Sequence, residues 1–112
     1  MLFRSVVDLE TTGTGQLCRI VEIALLLLSP EGELRQEWTT LIHPGAPIPN
    51  PAVHGIDDAL AATAPAFPDV APELASLLDG RVLVAHNLHR FDGPILRHHF
   101  WEAGSLQGCL KV

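Results

Sequence analysis

At 112 residues the chain has the length of one domain, and 47% hydrophobic against 18% charged residues is the composition of a globular fold, which excludes a disordered segment. Thirteen acidic against seven basic side chains leave a net charge of −6, which excludes a nucleic-acid groove working by bulk positive charge. Cys18 and Cys109 form neither a disulfide framework nor a Cys-x-x-Cys pair, the apolar run Ile23–Leu28 is too short to span a bilayer, and the start carries no secretory signal, so a soluble cytoplasmic protein without a membrane partner is expected.

Leu2–Glu10 is mostly apolar and β-branched and stops at Thr11-Thr12-Gly13-Thr14-Gly15, which predicts a strand ending in a turn. Arg19–Leu28 is nearly all apolar, as for a strand covered on both faces. Pro30-Glu31-Gly32 reads as a turn. Leu34–Ile42 then sets Leu34, Trp38 and Ile42 on one side and Arg35, Glu37 and Thr39 on the other, completing an antiparallel hairpin.

The prolines gathered between Pro44 and Pro72 mark one long connection. Asp69–Asp79 carries Val70, Leu74, Leu77 and Leu78 at helical spacing, ends at Gly80, and tolerates Pro72 if that residue lies in the first turn. Arg81–Ala85 is a further apolar strand, followed by His86-Asn87. A second helix runs from about Arg90 to Ala103, closed by Gly104, with Phe91, Ile95 and Phe100 toward the core. Leu106–Val112 begins a last strand. The order β-β-β-α-β-α-β predicts an α/β mixed sheet with flanking helices, one domain over residues 1–112.

The sharpest local feature is Asp8-Leu9-Glu10 at the end of the first strand. Side chains alternate along a strand, so Asp8 and Glu10 share a face and Leu9 takes the other. Two carboxylates closing an apolar strand repel each other, and a hard divalent cation, Mg²⁺ or Mn²⁺, removes that cost. Thr11 and Thr12 add hydroxyls, and Gly13 permits close backbone approach. The alternative is a strand end reaching solvent. Asp92, at the start of the second helix, is either dipole compensation or a third carboxylate. If the first and fourth strands are parallel neighbours, it falls beside Asp8 and Glu10 at the sheet end where ligands gather, which suits two-metal phosphoryl transfer.

Val7-Asp8-Leu9-Glu10-Thr11-Thr12-Gly13 resembles the first motif of the DnaQ-like, or DEDD, 3′→5′ exonucleases, and Val84-Ala85-His86-Asn87 followed by Phe91-Asp92 resembles the second. Ile48-Pro49-x-Pro51-x-x-His54-Gly55-Ile56 is similar to the segment these proteins carry before their first long helix. The resemblance covers essentially the whole chain, with the proofreading subunit of bacterial replicative polymerase among its nearest relatives. It implies a ribonuclease H-like fold, two divalent metal ions, a single-stranded nucleic-acid 3′ end as substrate and a polymerase as a possible partner. By motif, Asp8, Glu10 and Asp92 would be metal ligands, and Thr11, Thr12 and Gly13 would lie near the terminal nucleotide. His54 would sit near the base pocket or serve as a core or turn histidine. Asn87 would cap a helix or contact substrate.

The family completes its site with a later His followed about five residues on by an Asp, the general base and the last acidic ligand. Past Asp92 the sequence offers only His98 and His99 and no aspartate. His99, seven residues from Asp92, lies about 10 Å along a helix, out of reach of a water held by Asp92. The chain is therefore expected to be the front two-thirds of a catalytic domain, C-terminally incomplete, weak or inactive alone, or completed by a second chain. The rival reading is a catalytically degenerate module that binds nucleic acid or protein. A zinc site drawn from His86, His89, His98, His99, Cys18 and Cys109 has only His86-x-x-His89 spacing behind it. Arg90 and Arg97 would face solvent or meet a phosphate backbone.

Overall fold

The computed structural model describes residues 2–13, 18–45, 62–86 and 88–104. Among them the chain runs β1 (Arg4–Thr11), β2 (Ile20–Leu28), β3 (Leu34–Leu41), α1 (Phe67–Leu78), β4 (Val82–Val84), a π-helical turn (Leu88–Asp92) and α2 (Gly93–Glu102). The last strand anticipated over Leu106–Val112 lies outside the described residues.

The four described strands form one mixed sheet in the order β3-β2-β1-β4. β1 pairs antiparallel with β2 and β2 with β3, the anticipated hairpin. β4 returns after α1 to lie parallel to β1, with Val6 opposite Val84. That parallel pairing is the condition on which the three-carboxylate argument depended. The α/β mixed sheet with flanking helices anticipated from the order of elements is thus present.

The core lies on one face of the sheet. Val7 and Leu9 of β1 and Ile23 and Leu25 of β2 point into it, and Leu74 and Leu78 of α1 with Ile95, Leu96 and Phe100 of α2 cover them. Phe67 packs edge-on against Phe100, ring centroids 5.2 Å apart. On β3, Trp38 turns the same way, and its indole donates to Glu73 Oε1 of α1 at 3.2 Å.

Several boundaries differ from expectation for identifiable reasons. α1 starts two residues early because buried Phe67 anchors it and Pro68 suits the first turn. Pro72 therefore sits in the second turn, not the first, where it withholds one main-chain hydrogen bond. Leu34, assigned inward, is 52% exposed, because β3 is an edge strand and its first residues pass beyond the covering helix. β2 is not covered on both faces within the described residues. Ile23, Leu25 and Leu27 are buried, while Leu26 is 40% exposed. Gly80 and Gly104 end the two helices as anticipated, each with positive φ (70° and 74°), the conformation that favours glycine after a helix.

Candidate active site

β1 divides its residues by parity. Val7 and Leu9 build the core, whereas Asp8 and Glu10 stand on the face that neither α1 nor α2 covers. The register slips between Glu10 and Thr11, so that Glu10 faces Glu22 across the ladder and Thr11 faces Ile20. The strand then closes on itself. The Thr12 N–H donates to the Arg19 carbonyl, and the Thr12 hydroxyl accepts from the Arg19 N–H, both at 2.8 Å. The Thr11 hydroxyl donates to the Gly13 carbonyl at 2.6 Å. Both threonines thus shape the turn. Gly13 is exposed, its φ is not positive, and a Cβ there would meet nothing within 4 Å. Neither backbone conformation nor neighbouring side chains require a glycine at that position.

Asp92 arrives by a different route. β4 ends at Val84, and Ala85 and His86 carry the chain toward the π-helical turn, whose last residue is Asp92. Single π-turns recur at functional sites because they re-aim a side chain. Here the carboxylate makes no capping hydrogen bond to α2, which argues against ordinary helix capping. Asp92 is only 7% exposed. Burial first, and the negative charge of Asp8 second, hold its carboxyl above the usual range, with a hydrogen bond from its own main chain and then His86 pulling the other way. The charge of Asp8 therefore reaches Asp92, and Asp8 stands on the part of β1 that runs on past Val6, the partner of Val84 at the end of β4.

Convergence of all three carboxylates, as anticipated, is not seen. Among the described residues no group of three His, Cys, Asp or Glu side chains lies close enough to hold a metal ion. The charge of Asp8 is felt at Asp92, while Glu10, two residues further along β1 and in unbroken register, stands opposite Glu22. His54 and Asn87 lie outside the described residues. Glu22, opposite Glu10 on the same face, is a carboxylate the sequence reading passed over. The strand pairing that reveals it cannot be read from either segment alone.

The zinc alternative finds no cluster among the described residues. Cys18 is buried as a free thiol. His98 pairs with Glu102 at 3.3 Å and stacks on Trp101. Arg19 bridges to Glu102 and holds that carboxyl below its usual range, tying the start of β2 to the end of α2. His99, set aside in sequence, is 2% exposed and hydrogen-bonded through both ring nitrogens. Its spacing of four from Ile95, beside Leu96 and Phe100, was the available signal. Arg90 and Arg97 are both exposed. No helix among the described residues is long and apolar enough to cross a membrane.

Comparison with known proteins gives a consistent picture. Residues 5–107 match the family model described as Exonuclease (RNase_T). A DNA polymerase III subunit epsilon-like protein of Rhodobacter capsulatus is 44% identical over 98 residues, 82% of this chain and 14% of the relative. The 3′-5′ exonuclease DinG of Bacillus subtilis is 32% identical over 103 residues, 88% of this chain and 11% of its own length. Among solved structures, E. coli exonuclease I in complex with a dT13 oligonucleotide superposes with a TM-score of 0.85 over 96% of this chain and 25% of that one, at 19% identity, which is a likeness of fold. The chain spans well under half the length of each of these relatives.

Proposed function

From a chain that belongs to the exonuclease family, we propose that these residues form the part of a 3′→5′ exonuclease domain that binds divalent metal and grips the end of a single-stranded nucleic acid. The observation that carries this reading is Asp92, a buried carboxylate with no capping role that feels the charge of Asp8, which stands where β1 runs on past the end of its parallel neighbour β4. A protein keeps such a destabilising pair where a cation offsets it.

The donor set fits a hard ion. Asp8 and Asp92 would hold Mg²⁺ or Mn²⁺, with Glu10 swinging in from one step along β1 as a further oxygen ligand. In the two-metal scheme, the bound ions supply charge stabilisation for the phosphodiester and a more acidic water. The rest falls to the protein. Leu9, locked in the core, fixes the direction of the carboxylates on either side of it. The Thr11–Gly13 turn ends the strand abruptly, and Gly13 leaves room for a sugar-phosphate to approach the backbone. His54 and Asn87 would meet the terminal nucleotide. A polymerase subunit, or a second chain that completes the site, is the proposed protein partner.

Within these 112 residues no His followed five residues later by Asp lies downstream of Asp92, so no family-type general base is at hand. Absence of a positioned base costs about 10²–10⁴ in rate. The experiment is a nuclease assay on 3′-labelled single-stranded DNA with Mn²⁺, alongside calorimetric Mn²⁺ titration. Weak Mn²⁺ binding abolished by Asp8→Ala, with 3′-end release that is slow and equally sensitive to Asp8→Ala, is the expected result. A second reading is a non-catalytic binding module, favoured by the lack of a three-carboxylate cluster among the described residues. Nucleic-acid binding unaffected by Asp8→Ala, with no hydrolysis, would establish it instead.

A further inference from the structure

His99 is a buried titratable group that the proposed reaction does not use. Its ring lies in the last turns of α2. Nε2 accepts the main-chain N–H of Ile20 at 3.2 Å, and Nδ1 donates to the Ile95 carbonyl at 2.8 Å. A backbone N–H can only donate and a carbonyl can only accept, so these partners define a neutral ring protonated on Nδ1. Ile20 opens β2 and sits directly across the ladder from Thr11, at the strand end that carries Glu10. Asp92, immediately before α2, lies within electrostatic reach of Asp8 on the same strand. The helix is thus held to the site end of the sheet by His99, seven residues and about 10 Å along the helix from Asp92 at its head.

We infer that His99 is a positioning residue that works only in its neutral form, latching α2 to the backbone of β2 and so holding Asp92 opposite Asp8. Protonation places an N–H on Nε2 facing the Ile20 N–H, two donors with no acceptor between them, and the latch opens. This rests on the reading of Asp8 and Asp92 as a cation pair. The surroundings favour the neutral ring. From α1, Phe67 presents an aromatic edge with ring centroids 5.2 Å apart. From the start of β2, Arg19 adds positive charge, and from α2, His98 does the same, against the Ile95 carbonyl and Glu102, which favour the charged ring. Burial is the largest influence and drives the imidazole below its ordinary value.

The test uses the whole 112-residue chain, ¹⁵N-labelled and free of metal. At neutral pH the His99 ring nitrogens should show the Nδ1–H tautomer, and the Ile20 amide should be protected from exchange. On acidification, the Ile20 protection factor should fall by about tenfold or more as His99 protonates. In His99→Gln, whose carboxamide oxygen can accept from Ile20 and does not titrate, protection should persist through the same range. Mn²⁺ affinity should fall more steeply with acid in the wild type than in His99→Gln. An Nε2–H tautomer, or an Ile20 protection factor indifferent to His99 ionisation in the wild type, overturns the latch. Both readouts need no variant, so they hold even if His99→Gln folds poorly. Mn²⁺ affinity unchanged by Asp92→Asn overturns the cation reading, and the Ile20 measurements judge the latch independently of it.

Discussion

The carboxylate of Asp8 on β1 helps hold the carboxyl of Asp92 above its usual range, although the two residues lie near opposite ends of the described chain. The pairing destabilises the metal-free fold, because a buried charge is set near a like one. Asp92→Asn removes both penalties at nearly constant shape. The metal-free variant should be more stable by about 1 kcal/mol, a rise in Tm of roughly 4–8 °C for a domain of this size. Calorimetric Mn²⁺ titration of the same protein should show binding lost. A lower Tm would mean that Asp92 is a structural group.

The metal-free chain should show two opposing pH dependences. The raised carboxyl of Asp92 takes up a proton in the folded state before it would when unfolded, so this group adds stability as pH falls through its folded value. His99 behaves oppositely. Its folded imidazole resists the proton that the unfolded one accepts near its ordinary value of about 6.5, so stability falls with acid from there downward. Each contributes at most about 1.4 kcal/mol per pH unit. Urea unfolding across pH should therefore lose stability more steeply on acidification in Asp92→Asn than in the wild type. In His99→Gln the loss should be shallower.

Ser5, fully buried on β1, donates to the Leu77 carbonyl at 3.1 Å, and the Arg81 guanidinium donates to that same carbonyl at 2.8 Å. Either donor alone keeps the end of α1 satisfied. Ser5→Ala and Arg81→Ala should each cost about 0.5–1 kcal/mol, and the double variant should cost more than their sum. A double-mutant cycle in urea with strict additivity would show that the two donors act separately.

Phe100 has no exposed surface and packs edge-on against Phe67, where α1 and α2 meet over the sheet. Phe100→Ala should cost about 3–5 kcal/mol, a large share of the stability of a small domain. Loss of the cooperative thermal transition is the outcome to look for. Phe100→Leu should retain it.

How much of this was legible in sequence follows from the range of the interactions. Asp8 and Glu10 could be placed on one face because strand alternation is local, whereas the parallel placement of β4 beside β1 stood as a condition that only the strand pairing supplies. The electrostatic coupling of Asp8 to Asp92 and the place of Glu10 opposite Glu22 were not legible. They depend on strand pairing and on a π-turn, and neither leaves a periodic trace. Leu34 was misplaced because periodicity assigns a side but not whether a helix extends over it. His99 was set aside by its distance from Asp92; its spacing from Ile95 marks a core position, but its role follows only from its main-chain partner, Ile20.

Ser5, Val7 and Leu9, at odd-numbered positions of β1, are buried and hold the molecule together, and the even-numbered Asp8 and Glu10 are the candidate site carboxylates. Because those tasks fall on opposite sides of a single ribbon, Asp8 and Glu10 can be exchanged for almost any side chain without disturbing what keeps the ribbon in place. A scaffold of this kind can lose or acquire reactivity through substitutions that leave its shape untouched.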